Sequence, residues 1–151
     1  MVRIPAVSSN SLTSSPATSQ NQRRIVAYWV ATVLVAAELG VGGVWDLLRI
    51  PYVRGVIEQL GYPTYFLVIL GVWKVPGAVA LLVPRFPRLK EWAYAGAVFT
   101  YTGAVASHLT VRDGAGAVWP CVFAVLAAAS WALRPPARRD LTPSSAAPTR
   151  A

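Results

Sequence analysis

Four long apolar runs separated by short polar stretches organise this chain. They cover Ile25–Leu48, Pro63–Val83, Leu89–Val111 and Ala117–Leu133. Each is about 17 to 25 residues, the length a helix needs to cross roughly 30 Å of hydrocarbon. Lipid offers no hydrogen-bond partners to an open strand, so runs of this length predict helices. Between the first two runs, PYVRGVIEQLGYP places Tyr52, Val53, Val56, Ile57 and Leu60 at helical spacing, with Arg54, Glu58 and Gln59 opposite. That stripe predicts a short amphipathic helix lying on the membrane surface or capping the bundle mouth. Pro51 and Gly61-Tyr62-Pro63 mark its ends. Pro76, next to Gly77, removes one helical hydrogen bond and predicts a local loosening of the second span.

The ends of the chain read differently. Residues 1–24 are rich in Ser, Thr, Asn, Gln and Pro, and residues 134–151 are basic and Pro-rich; neither carries enough apolar surface to fold. The expected fold is therefore all-α, a four-transmembrane-helix bundle over residues 25–133 between disordered tails. The sequence is 55% hydrophobic and only 13% charged, with positive mean hydropathy, outside the usual soluble balance. A net charge of +8 would suit nucleic acid, but the basic residues lie between apolar runs and form no patch, so nucleic-acid binding is set aside.

Their placement speaks to orientation. Arg3, Arg23 and Arg24 precede the first span, Arg85, Arg88 and Lys90 separate the second and third, and Arg134, Arg138, Arg139 and Arg150 follow the fourth. Only Arg49, Arg54 and Arg112 fall on the other side, which predicts both termini in the cytoplasm.

Four titratable residues interrupt the apolar runs: Glu38 and Asp46 in the first, Lys74 in the second and His108 in the third. Such groups are costly in hydrocarbon unless they face a bundle interior and find partners. At about 1.5 Å rise per residue, Glu38 and Lys74 come level, as do Asp46 and His108 nearer the mouth. The arithmetic predicts a Glu38–Lys74 ion pair at the midplane and an Asp46–His108 pair above it. Glu38, Gly42 and Asp46 share one helix face, and small residues such as Gly40, Gly43, Gly71 and Gly103 would allow close helix approach. Trp73, beside Lys74, is expected to lie deep and line a pocket, and Trp45 and Tyr101 join the candidate binding residues. Cys121 reads as a small buried apolar group. One histidine and one cysteine supply no metal site, and no catalytic motif is present.

The segments LGYP (Leu60 to Pro63), ILGVWK (Ile69 to Lys74), LKEWAYAG (Leu89 to Gly96) and the Ser107-His108 pair resemble the DoxX-like group of small four-helix bacterial membrane proteins. The resemblance spans roughly Tyr28 to Arg134. It implies a multi-pass protein of the bacterial cytoplasmic membrane. Some relatives resemble the small membrane subunit of a thiosulfate–quinone oxidoreductase, which implies a redox accessory role near a quinone or other lipophilic molecule, with oxidoreductase subunits as partners. Thr100 and Pro76 depart from the family pattern, in which an acidic residue and an apolar helix former are commoner. Two other readings stay open: a small intramembrane isomerase, cyclase or hydrolase with Asp46 and His108 as acid and base, and a proton-coupled transporter acting as a homo-oligomer.

Overall fold

The computed structural model describes residues 16–84 and 86–135. Five helices follow one another: α1 (Pro16–Leu48), α2 (Pro51–Gln59), α3 (Tyr65–Leu82), α4 (Pro87–Thr110) and α5 (Gly114–Leu133). Short connections make α3, α4 and α5 successive antiparallel neighbours, and α1 closes the ring between α3 and α5. Each long helix packs chiefly on its two ring neighbours. The α3–α4 seam is the most loosely packed of the four.

Helix ends follow local chemistry. Proline opens α2 and α4, where a missing N–H costs nothing. Asp113 caps α5, its carboxylate accepting from the Gly116 N–H at 2.9 Å. α1, α2 and α4 finish in one shared motif, with Arg49, Gly61 and Arg112 at positive φ. The Ile50, Tyr62 and Asp113 N–H groups reach back five residues, to the carbonyls of Trp45, Ile57 and His108.

The surface is inverted relative to a soluble bundle. Trp92 is 81% exposed and Trp73 and Phe99 each 76%, and many Val, Leu and Ile side chains of α1, α3 and α5 also face outward. α1, α3 and α5 are long and apolar enough to cross a membrane. α4 is longer than α3 but less apolar overall, because Tyr94, Thr100, Tyr101, Thr102, Ser107 and His108 punctuate it. Pro76 does not divide α3, which runs through it.

Inside the ring, the half remote from α2 is solid. Val35, Leu39, Leu81, Tyr94, Ala97, Phe123 and Ala127 form one cluster. A buried polar chain crosses it: Thr32 Oγ1 lies 2.7 Å from Ser130 Oγ, which lies 2.8 Å from the Tyr94 hydroxyl, and Thr32 also donates to the Tyr28 carbonyl. Two residues that the sequence places among the loop charges are buried here. Lys90, 2% exposed, donates to the carbonyls of Ala80 at 3.1 Å and Leu81 at 2.5 Å, satisfying the end of α3. Arg134 pairs with Glu91 and stacks over Tyr94 and Trp131.

Two further expectations are corrected. α1 begins at Pro16, so residues 16–24 extend the first helix beyond the apolar run instead of belonging to an unfolded tail. Residues 1–15 and 136–151 lie outside the described residues. Cys121 is exposed on α5 and not buried.

Candidate functional site

The other half of the ring encloses a cavity of about 780 Å³. α2 roofs it: Val53, Val56, Ile57 and Leu60 line it from above, so the amphipathic stripe caps the bundle mouth. Phe66, Leu67 and Leu70 of α3, Phe99 of α4, and Trp119 and Phe123 of α5 supply apolar walls. Two polar groupings break that lining.

The first is centred on Lys74. Its ammonium lies 3.4 Å from Glu38 Oε1 and 3.2 Å from Asp46 Oδ2, bridging two carboxylates that stand two helical turns apart on α1. All three residues line the cavity, and Asp46 is only 4% exposed. Tyr101 of α4 donates its hydroxyl to Glu38 Oε2, so α1, α3 and α4 meet at one carboxylate. Glycines make this approach attainable. A Cβ on Gly42 would sit 3.0 Å from Glu38 Oε1 and 3.2 Å from Lys74 Nζ. A Cβ on Gly43 would stand 2.9 Å from both Lys74 Cβ and Val75 Cγ2, and one on Gly71 2.6 Å from the Gly43 carbonyl. The α1–α3 seam thus closes on bare backbone. Gly40 meets only an ordinary contact, and Gly103 has open space, so neither enforces close packing.

The second grouping lies at the α4–α5 turn. His108 Nδ1 is 2.9 Å from Asp113 Oδ2, and the other Asp113 oxygen receives the Gly116 N–H. The Gly116 N–H, together with the bond from His108, holds the Asp113 carboxyl below its ordinary range. A Cβ on Gly116 would overlap both the carboxylate and the imidazole, so both side chains would have to shift to admit one. Two ties bind the roof to this turn: Gln59 Nε2 to Asp113 at 3.5 Å, and the Tyr62 hydroxyl to Ser107 Oγ at 2.9 Å.

The Glu38–Lys74 pair is as the depth arithmetic expects, but the Asp46–His108 pair is not. Asp46 is taken by Lys74, whose ammonium on a four-carbon stem sits between the two carboxylates. His108 is taken by Asp113, five residues on in its own chain segment. Asp46 and His108 still share the cavity wall. Trp73 and Trp45, at 76% and 43% exposure, face outward and do not line the pocket. Adjacent helical residues point about 100° apart, so Lys74 facing inward turns Trp73 to the surface. Tyr101 lines the cavity. Asp113 was missed, although Asp-Gly-Ala-Gly before an apolar run is a legible helix start. Among the described residues no group of three His, Cys, Asp or Glu side chains is placed to hold a metal.

Comparison with known proteins agrees with the fold. No curated protein and no solved structure matches the chain. The DoxX-like family model matches residues 30–130, from the middle of α1 to nearly the end of α5, and so takes in the roof, the Lys74 bridge and the His108–Asp113 turn; the chain is a membrane protein and belongs to the DoxX-like family.

Proposed function

We propose that the protein is a multi-pass component of the bacterial cytoplasmic membrane, with α4 as the fourth span beside α1, α3 and α5 and both termini in the cytoplasm. Its cavity holds a lipophilic molecule with a polar head, of the quinone class, and the protein serves as an accessory subunit of a membrane redox system. The observation that carries this reading is the cavity: mostly apolar walls of quinone-accommodating size around a charged bridge that few apolar ligands would tolerate without a polar end. Lys74, Tyr101, Glu38 and Asp46 would hold the head group, and Phe99, Trp119 and Phe123 its ring and tail. Family membership supports the membrane setting.

The transporter reading finds less support, because the cluster from Val35 to Ala127 fills the ring below the cavity. The enzyme reading has one observation in its favour: His108, oriented by Asp113 through Nδ1, has the arrangement of a positioned base. Asp46 is not its partner in that arrangement.

A photoreactive quinone analogue, applied to the full chain in lipid nanodiscs, tests the binding claim. Labelling should map to cavity-lining peptides of α3 and α4 and disappear with Lys74→Met. Labelling spread evenly over the outer surface would overturn it. Purification from native membranes tests the accessory role, which requires a co-purifying redox subunit.

A further inference from the structure

The roof over the cavity is fastened differently on its two sides. Backbone joins α2 to the end of α1 and the start of α3, and it packs lightly on both helices. Toward α4 and α5 its contacts are fewer still. There the fastening is by side chains: the Tyr62 hydroxyl lies 2.9 Å from Ser107 Oγ, and Gln59 Nε2 stands 3.5 Å from Asp113 Oδ2, near the limit of a hydrogen bond. Both bonds are exposed, so water competes for each of them and neither contributes much to closure. Tyr62 moves with α2, because its N–H is bonded to the Ile57 carbonyl.

The joints suit a hinge. Between α1 and α2 stand only Arg49, at φ 49°, and Ile50, extended at ψ 153°. At the far end come Gly61, at φ 82°, and Pro63, outside any helix. A few residues at element ends are what absorbs the backbone rotation when a packed unit swings. The face that α2 turns downward does little to hold it there. Val53, Val56 and Leu60 line the open volume and are only half-buried, and Ile57 is the one buried residue of the helix. Apolar surface set over a cavity gains less from closure than the same surface set against packed side chains.

We propose that α2 is a hinged flap. It pivots at its joints with α1 and α3 and lifts away from the α4–α5 turn, with Tyr62–Ser107 and Gln59–Asp113 as its latch. The closed form is the one described above. Lifting brings water to His108 and Asp113 at the released edge and opens the cavity to the aqueous phase, so that water-borne solutes and protons reach its polar groups without crossing hydrocarbon. The flap is independent of which molecule the cavity holds.

The test uses the full chain in nanodiscs, with Cys121→Ser removing the native thiol. Spin labels on Gly55→Cys and Thr110→Cys measure the flap against the bundle, and labels on Leu48→Cys and Thr110→Cys measure the bundle alone; all three positions are exposed, and Gly55 has open space around it. Pulsed electron–electron distance measurements should find a short and a longer population for the flap pair. Tyr62→Phe with Gln59→Ala should raise the ratio of longer to short about tenfold, or roughly threefold for each bond removed, while the bundle pair keeps one distance. A charged methanethiosulfonate applied from water should also label Ala104→Cys, on the cavity wall, about tenfold faster in that latch variant. A single flap distance that the latch variant leaves unchanged would overturn the proposal and make α2 a fixed cap. Equal broadening of both pairs would overturn it too, since the whole bundle would then be loosening. A longer population without faster labelling would overturn the opening to water.

Discussion

Lys74, partly buried, and Lys90, fully buried, stand in opposite halves of one four-helix ring, and they are handled in opposite ways. Lys90 turns into the solid half and donates to backbone carbonyls at the end of α3. Lys74 stands between two carboxylates at the edge of a cavity, in a charged cluster that is not balanced within itself. A buried charge that completes a helix end is architecture. One held between two carboxylates at a cavity wall stands where an occupant of that cavity would meet it.

Lys74→Met should separate the two cases most strongly. It leaves Glu38 and Asp46 facing each other without a cation, at a cost of about 3–5 kcal/mol. Adding Glu38→Gln and Asp46→Asn should recover much of that loss. Unfolding of the three proteins in one detergent checks this, and equal stability of the single and triple variants would show that the charges do not act together.

Lys90→Met should cost less, about 2–3 kcal/mol, since it strips charged hydrogen bonds from two carbonyls without stranding a carboxylate in a cavity. Its ligand binding should match wild type once protein amount is equalised. A binding defect as severe as that of Lys74→Met would break the distinction between the halves.

Glycines sharpen the comparison at smaller scale. Gly116→Ala displaces Asp113 and His108 together and removes the cap of α5, for about 1–2 kcal/mol and a loss of binding. Gly103→Ala adds a methyl to open space and should leave stability within about 0.5 kcal/mol. Chemical denaturation of both variants checks the contrast, and equal costs would refute the cradle.

The smallest effect is pH-dependent. Asp113 titrates lower in the fold than in the unfolded chain, so its contribution is complete above about pH 4 and fades only as pH falls through the lowered value. Stability should not change through Asp113 between about pH 5 and 7. A Gly116→Ala protein should lose this acid-side dependence, and thermal unfolding across a pH series would show it.

Much of the frame was legible because it rests on lengths and periods. The runs at Pro63–Val83 and Leu89–Val111 came within a few residues of α3 and α4, and the stripe from Tyr52 to Leu60 became the cavity roof. The site was only half legible, because counting rise per residue locates Cα atoms while ions meet at the ends of side chains. Lys74 also reaches Asp46, two turns along α1 from the carboxylate level with it, which no depth count includes. His108 found a partner within its own turn, a local option that searching across helices overlooks. Lys90 and Arg134 were counted as loop charges because their positions adjoin turns, whereas long stems carry their charges inward.

The close α1–α3 seam has a consequence for access. Gly43 and Gly71 bring those backbones together so that this side of the ring cannot part cheaply. The looser α3–α4 seam lies opposite the α1–α5 seam, and Phe99 of α4 both lines the cavity and is largely exposed on the outer surface. With α4 as the proposed fourth span, a lipophilic occupant passing that residue would arrive by partition from the bilayer, not from bulk water. Its occupancy is then governed by mole fraction in lipid, and doubling the lipid at constant ligand should dilute it as surely as halving the ligand.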